Sequence, residues 1–160
     1  MALMLLTSGM LLSSCTVPVD GLAGVTVDEK GNPIGVVRTC EHPLDGATLY
    51  WPDDPRGSDG QPAELGQWEF TGSTVTHSLA WPLGAASAAD VKGKQTPQAM
   101  LPGRTFSLYG WTTDNSWSAA NVDFTLTDLE GLPVGKILVL DSGTRLRVVS
   151  EPEFDALVCE

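Results

Sequence analysis

Basic residues and histidines are scarce in this 160-residue sequence, and each scarcity argues against a class of function. The chain has 9 Lys and Arg against 20 Asp and Glu, which gives a formal net charge of −11. Nucleic-acid binding needs clustered Lys and Arg to displace the counterions of the phosphates, so we expect no nucleic-acid partner. The same acidic balance disfavours electrostatic docking onto an anionic lipid surface.

Patterns typical of catalytic and metal sites are also missing. The sequence has only two histidines, His42 and His77, and no Gly-x-Ser-x-Gly elbow of a serine hydrolase. No Cys-x-x-Cys pair or histidine group has the spacing of metal ligands. The acidic stretch 53–60 lacks the alternating ligands of a calcium loop, so we interpret it as a solvated loop. We therefore predict no catalytic residue, no metal site and no cofactor.

What the sequence does contain is a β pattern over most of its length. Hydrophobic residues make up 42% of the chain, and short apolar or alternating segments are separated by turns rich in Gly and Pro. This favours an all-β fold, a two-sheet antiparallel Ig-like sandwich of about nine strands. The segments with this pattern are 25–27, 34–40, 47–51, 67–70, 73–81, 105–111, 121–127, 136–140 and 144–149.

Two long loops and one helix complete the predicted fold. The loops are 52–65 and 83–102, and the second contains an Ala/Ser/Asp run that suits a helical turn. A short C-terminal helix is predicted after Ser150, because Glu153 stands at the capping-box position and Phe154, Leu157 and Val158 share one face. Trp51, Trp68 and Trp81 are predicted to lie in the core.

The first residues predict export and a lipid anchor. Residues 1–14 carry no charge, and their apolar stretch is shorter than the about 20 residues that span a bilayer, as in a signal peptide. Leu12-Ser13-Ser14-Cys15 resembles the bacterial lipobox, which implies a diacylglycerol on the Cys15 sulfur and cleavage just before it. The alternative is a buried first helix with an incidental cysteine. The lipobox interpretation divides the chain into a signal peptide (1–14), a tether (15–22) and one β-sandwich domain (23–160), anchored on the extracytoplasmic face of the cell membrane.

The other two cysteines agree with export. If Cys15 is acylated, Cys40 and Cys159 remain, and in an oxidising compartment we expect them to form a disulfide. Two buried free thiols are the alternative. The C-terminal helix would bring Cys159 to Cys40.

Several short segments resemble known families. Val27 to Ile34, with Gly46-Ala47-Thr48 after it, is similar to the opening of carboxypeptidase regulatory-like domains, which have a transthyretin-like sandwich without catalytic residues. Met100 to Leu108 is similar to the fibronectin type III pattern L-x-P-G-x-x-Y-x-V, with Phe106 in place of the Tyr. Together with the lipobox, the layout resembles small lipoproteins of high-GC Gram-positive bacteria to which no activity is assigned.

One further segment resembles a catalytic loop. Leu138 to Thr144 is similar to the Asp-Ser/Thr-Gly loop of aspartic proteases, whose chemistry needs a second such loop that this chain lacks. We interpret Asp141 and Gly143 instead as the turn of a hairpin between two apolar strands.

The candidate ligand-binding residues lie in one segment, Tyr109 to Ser118. Tyr109, Trp111, Asp114, Asn115 and Trp117 fall at the end of a strand and in the loop after it, where β-sandwiches commonly bind ligands. The alternative is that Trp111 lies in the core and Trp117 packs the loop onto the sheet. We expect a non-enzymatic module of the cell envelope that binds an envelope protein or glycan. The alternatives are an envelope hydrolase with a scattered site and a structural accessory domain of a membrane protein complex.

Overall fold

The computed structural model describes residues 16–53, 62–71, 78–141 and 145–159. Within these ranges the chain forms one nearly closed sheet of twelve strands and two short helices, so the predicted mostly-β fold is confirmed. The elements are β1 (Val19–Val27), β2 (Pro33–Thr39), β3 (Gly46–Trp51), β4 (Ala63–Phe70), β5 (Leu79–Pro82), β6 (Ser87–Ala88), β7 (Val91–Gly93), β8 (Phe106–Trp111), β9 (Ser118–Ala120), β10 (Val122–Phe124), α1 (Leu126–Leu129), β11 (Lys136–Asp141), β12 (Arg145–Ser150) and α2 (Glu151–Val158).

Strand β1 connects the two parts of the sheet. One of its edges pairs antiparallel with β2 along its length, and β2 pairs in turn with β5. Its other edge pairs with β9 in parallel near the N-terminal end and with β11 at Val25, and β11 continues to β12. From β9 the sheet continues through β8, β3, β4, β7 and β6, while β10 also pairs with β8.

The core lies between the inward faces of these strands and is rich in aromatic residues. Trp68 and Trp81 are 0% and 1% exposed, and their rings meet edge to face at 5.6 Å between centroids. Trp51 is also buried, so all three tryptophans predicted for the core are confirmed there. Rings of this size remove a large apolar area from water, which is the main stabilising term for a domain of this length.

Helix α2 closes one side of the sheet, as the C-terminal pattern predicts. The Glu153 carboxylate accepts hydrogen bonds from the backbone N–H and the hydroxyl of Ser150, both at 2.7 Å, which completes the predicted capping interaction. These bonds lower the pKa of Glu153, the Ser150 hydroxyl more than its backbone N–H. Phe154 is fully buried in a small cluster with Val36, Ile137, Val139 and Val149.

A covalent bond and an ion-pair cluster hold α2 to β2. Cys40 and Cys159 form the predicted disulfide, with 5.3 Å between their Cα atoms. The Arg38 guanidinium, whose side chain is only 13% exposed, pairs with Asp155 and lies 3.5 Å from a carboxylate oxygen of Glu151. The end of the chain is therefore fixed to the strand that follows β1.

Strand boundaries differ from the expected ones where a distant segment supplies a partner. Strand β1 begins at Val19, so the last four residues of the range assigned to the tether lie in the sheet, next to β9. The segment 83–102 contains the short β6–β7 hairpin instead of a helical turn. The strand expected over 121–127 ends at Phe124, because Thr125 caps α1 and exchanges hydrogen bonds with Asp128.

Turn chemistry is confirmed at the first hairpin. Gly31 has a φ of +81°, and the Asp28 carboxylate accepts hydrogen bonds from the backbone N–H groups of Lys30 and Asn32, each at 2.8 Å. Asp141 pairs with Arg145 across β11 and β12, as the hairpin interpretation of that segment predicts. Residues 142–144 lie outside the described residues, as do Cys15, His77, most of the strand expected over 73–81, and 54–61 of the acidic loop.

We predict that the disulfide contributes about 4–5 kcal/mol to the free energy of unfolding, because it closes a loop of more than a hundred residues in the unfolded chain. Urea unfolding with and without reductant measures this difference. A Cys40→Ala/Cys159→Ala variant should unfold like the reduced protein and show no response to reductant. An unchanged midpoint in the reduced wild type would contradict the prediction.

Candidate functional site

The clearest cavity among the described residues is a groove of about 620 Å³ on the outer face of β3, β4 and β8. Side chains alternate between the two faces of a strand, so Tyr109 and Trp111 project outward from β8 while Phe106 and Leu108 enter the core. The start of the described chain, β9 and the loop 112–117 complete the wall. We refer to this cavity as the outer groove.

Trp111 is fixed flat against the sheet at the floor of the outer groove. Its indole N–H donates to the Thr48 hydroxyl at 2.9 Å. The ring lies over Gly46, where a Cβ atom would come within 2.5 Å of Trp111 Cζ2. Lys94 Nζ lies 5.4 Å from the ring centroid, within range of a cation–π interaction. Trp111 therefore belongs to the outer face and not to the core.

Two tyrosines extend the aromatic floor. The rings of Tyr50 and Tyr109 meet edge to face, with centroids 5.8 Å apart. Burial raises the pKa of Tyr109, with the Thr48 hydroxyl acting in the opposite direction, so the phenol stays protonated at neutral pH and can donate a hydrogen bond. A second recess, of about 490 Å³, shares both tyrosines and adds Glu64 and Pro62.

The loop 112–117 is held by its own side chains. The Thr112 hydroxyl accepts from the Trp117 backbone N–H at 3.0 Å and donates to the Trp117 carbonyl at 3.1 Å. The Asp114 carboxylate accepts from the hydroxyl and the backbone N–H of Ser116, at 2.6 and 3.0 Å, and these bonds lower the pKa of Asp114. Asn115 adopts a φ of +57° between them. Asp114 thus shapes the loop.

The structure brings most of the predicted ligand residues together. Tyr109, Trp111, Asn115 and Trp117 all line the outer groove, whereas Asp114 is not among its lining residues. Trp117 lines the outer groove and also packs against the core, and its role in ligand binding stays a prediction.

Asp20 and His42 support the outer groove from behind Trp117. The imidazole of His42 stacks on the Trp117 ring at 3.8 Å between centroids, and its Nδ1 lies 3.2 Å from Asp20 Oδ2. The Asp20 carboxylate also accepts the backbone N–H groups of Glu41 and His42, at 2.9 and 2.5 Å. Burial alone would raise the pKa of Asp20, but these hydrogen bonds outweigh it and the pKa is lowered.

A polar group borders the outer groove near β10. Ser107, fully buried, donates its hydroxyl to Asp123 Oδ1 at 2.5 Å. Asn121 lines the outer groove and uses its amide nitrogen to donate to both Asp123 and Ser107. Since both N–H donors are used, Asn121 can offer a ligand only its carbonyl oxygen.

The described residues contain neither a cluster of metal ligands nor a membrane-spanning helix. No group of three or more His, Cys, Asp or Glu side chains in the part of the chain that the structure describes is placed to hold a metal ion. Among the same residues, no helix is long and apolar enough to cross a membrane.

Sequence reasoning missed Asp20, Tyr50, Lys94 and Asn121. Tyr50 carried a usable signal, because Ala47, Leu49 and Trp51 alternate with it along β3 and all three are buried. The sequence around Lys94 and Asn121 gives no signal that these residues line the outer groove. Their position there depends on the pairing of strands that are distant in sequence.

Comparison with protein-family models, curated proteins and solved structures finds no match to this chain.

We predict that the stability of the protein falls as the pH drops, in part through Asp20. Because the folded-state pKa of Asp20 lies below its unfolded value, this contribution is present above about pH 4 and is lost as the pH falls through the folded pKa. An Asp20→Asn variant keeps an acceptor for the two N–H groups but does not titrate. Its free energy of unfolding, measured by circular dichroism, should therefore fall less steeply than that of the wild type between about pH 5 and 3.

The Asp20→Ala variant serves as a second measurement. It leaves the N–H groups of Glu41 and His42 without their acceptor, and we expect about 1–3 kcal/mol of destabilisation at neutral pH. If the free energy of unfolding depends on pH in the same way for wild type and Asp20→Asn, Asp20 does not contribute to the loss of stability in acid.

Proposed function

We propose that this protein is a non-enzymatic binding module of the cell envelope, held on the extracytoplasmic face of the membrane by a lipid on Cys15. Its ligand site is the outer groove. The single observation that carries the proposal is the convergence of four aromatic side chains from two separate segments, Tyr50 from β3 and Tyr109, Trp111 and Trp117 from 109–117, on one open groove. Aromatic rings with a few polar groups between them are typical of pockets that bind small ligands.

The disulfide supports the extracytoplasmic location. Disulfides persist in oxidising compartments and are rare in the cytosol, so the Cys40–Cys159 bond agrees with the lipobox resemblance of Leu12 to Cys15. A diacylated cysteine carries two acyl chains, which is sufficient for stable anchoring.

The geometry around His42 favours binding over hydrolysis. A serine hydrolase needs a serine hydroxyl that donates to the imidazole, and Asp20 and His42 supply the other two parts of such an arrangement. Among the described residues, Ser116 and Ser118 flank Trp117, on whose ring His42 stacks, and their hydroxyls are engaged elsewhere: Ser116 donates to Asp114, and Ser118 donates to the Pro18 carbonyl at 3.2 Å. We therefore assign Asp20 and His42 to support of the loop, and we keep the hydrolase as an alternative.

A structural accessory domain is the third candidate. It would dock on a membrane protein through a broad apolar surface. The large apolar side chains exposed among the described residues are Val19, Leu101, Val134 and Val148, and they lie on four separate segments. This arrangement gives less support to a docking surface than the outer groove gives to a ligand site.

The strand pairing supports the finer fold assignment that we propose here, a two-sheet Ig-like sandwich. One sheet would contain β5, β2, β1, β11 and β12, and the other β10, β9, β8, β3, β4, β7 and β6. The parallel pairing of β1 with β9 joins the two, so the layers are continuous at that edge. A fibronectin type III-like and a transthyretin-like topology are the alternatives within this architecture.

We predict that Cys15 is the acylation site. Metabolic labelling with a lipid analogue should label the wild-type protein, while Cys15→Ser should carry no label and leave the membrane fraction. The Cys40→Ser variant is the matched control and should retain the label, since that cysteine lies in the disulfide. Equal labelling of Cys15→Ser and wild type would remove the anchor from the proposal.

We also predict that binding to the envelope depends on the outer groove. The purified protein should sediment with washed cell envelopes, and Trp111→Ala should reduce the retained fraction at least fivefold, because loss of a central aromatic contact usually costs more than about 1 kcal/mol. Lys92→Ala, on the exposed face of β7 and outside the groove, is the control. Equal retention of the two variants would place the ligand site elsewhere.

A further inference from the structure

We infer that the ligand of the outer groove is an uncharged saccharide, stacked on Trp111 and in contact with the edge-to-face pair of Tyr50 and Tyr109. This inference rests on the proposed function, because it names the ligand class of the same site. Three observations carry it: the orientation of the rings, the absence of carboxylates from the described lining, and the neutral polar groups beside the rings.

The rings are positioned to stack on a flat ligand. Trp111 lies against Gly46 and is tied to Thr48 through its N–H, and it lines the outer groove with Lys94 Nζ 5.4 Å from its ring centroid. A ligand that stacks on this ring therefore also meets the Lys94 ammonium, which can donate a hydrogen bond to a sugar hydroxyl. The face of an aromatic ring carries partial negative charge and attracts the polarised C–H groups on the flat side of a pyranose. Because Trp111 is already fixed, stacking would immobilise little additional side-chain freedom.

The charges around the outer groove favour an uncharged ligand. Although the chain has 20 Asp and Glu, none of the described residues that line the groove is acidic. Lys94 is the single cation of this described lining, and its Nζ lies 3.2 Å from Glu69 Oε1. An anionic ligand would thus meet an ammonium that is already paired, and a cationic ligand would find no carboxylate among the described lining residues of the outer groove itself. Glu64 enters only in the adjoining recess, where a carboxylate can accept hydrogen bonds from sugar hydroxyls.

The polar groups of the outer groove suit a ligand rich in hydroxyls. Gln67 and Asn115 present side-chain amides, which can both donate and accept. Asn121 presents its carbonyl oxygen as an acceptor, since Asp123 and Ser107 occupy its two N–H groups. Such neutral amides match sugar hydroxyls without a cost for burying a charge.

The sheet offers no peptide-pairing edge within the outer groove. Extended peptides commonly bind to sheets by adding a strand at an exposed edge. Strands β3, β4 and β8, which form the floor, each have a neighbouring strand on both sides in the described structure. A peptide would therefore bind through its side chains alone, as a proline-rich segment does on aromatic rings. Binding of a proline-rich peptide is therefore the alternative that the experiment has to distinguish from binding of a saccharide.

The position of the groove brings it close to the membrane in the anchored protein. Thr16 and Val17 line the outer groove and directly follow Cys15. Since one residue spans at most about 3.6 Å, the acylated cysteine would hold the wall of the groove at Thr16 and Val17 within about 10 Å of the bilayer surface. The saccharide therefore comes from a neutral glycolipid headgroup or from a neutral polysaccharide that reaches the membrane.

The experiment uses the purified protein in a zwitterionic detergent without a sugar headgroup. Arrays of neutral oligosaccharides, anionic oligosaccharides and proline-rich peptides serve as probes, and the tryptophan fluorescence of the protein gives the affinity for each hit. We expect neutral oligosaccharides to bind with an affinity that does not depend on ionic strength. Trp111→Ala should weaken this binding at least tenfold and Trp111→Phe by less, with Lys92→Ala as control. Thermal unfolding of each variant checks that the fold is retained.

Two arms separate the possible sources of the saccharide. Phosphatidylcholine vesicles with and without digalactosyldiacylglycerol test a glycolipid headgroup, and soluble neutral hexasaccharides test a polysaccharide. Binding in either arm that is lost in Trp111→Ala supports the inference. Binding only to anionic sugars or to proline-rich peptides, or no binding to any neutral saccharide, would overturn it. In that case, retention on envelopes that is reduced in Trp111→Ala would still support the proposed function. Retention that is unchanged in Trp111→Ala would count against both the proposed function and the saccharide inference.

Discussion

The pairing of β1 on both of its edges is the constraint on which the rest of this structure depends. One edge is occupied by β2, and the other is divided between β9 and β11, so a single strand connects segments about a hundred residues apart. This arrangement requires close approach at two glycines. A Cβ atom at Gly21 would lie 2.7 Å from the Arg38 carbonyl oxygen, and one at Gly24 would lie 2.5 Å from Ile137 Cγ2. Side chains at these positions would force the neighbouring strands apart.

The same pairing places the outer groove beside the first described residues. Ser118 donates its backbone N–H to the Pro18 carbonyl at 2.9 Å, so the first described residues are tied to the strand that follows the loop 112–117. That loop carries Trp117, on whose ring His42 stacks from the segment after β2, and Asp20 in β1 lies 3.2 Å from His42 Nδ1. The disulfide and the Arg38 ion pairs fix the far end of the chain to β2 as well. The outer groove, the first described residues and helix α2 are thus all positioned through the β1–β2 hairpin.

Local signals predicted the parts of the fold that depend on neighbouring residues. The capping of α2 by Ser150 and Glu153 needs only residues three apart, and the turn at Gly31 needs only a backbone that tolerates positive φ. Predictions failed where the partner was distant. Residues 19–22 contain no strong strand pattern, and they join the sheet because β9 lies alongside them. The strand expected to continue through Thr125 ends before it, because the Thr125 side chain accepts a hydrogen bond from the Asp128 backbone N–H and caps α1. Threonine suits both a strand and a helix N-cap, so the local sequence alone does not distinguish the two.

Composition, alternation and the number of cysteines were enough to indicate a β-rich domain with three core tryptophans, a C-terminal helix and a disulfide between Cys40 and Cys159. They were also enough to select Tyr109, Trp111, Asn115 and Trp117, because these residues are neighbours along the chain. Only the folded chain shows three further features of the groove. Tyr50, Lys94 and Asn121 also line it, His42 stacks on Trp117, and Asp114 is not among the lining residues. The register between strands that are far apart in sequence places side chains on a common face, and that register is set by hydrogen bonds between the strands, which no single segment contains.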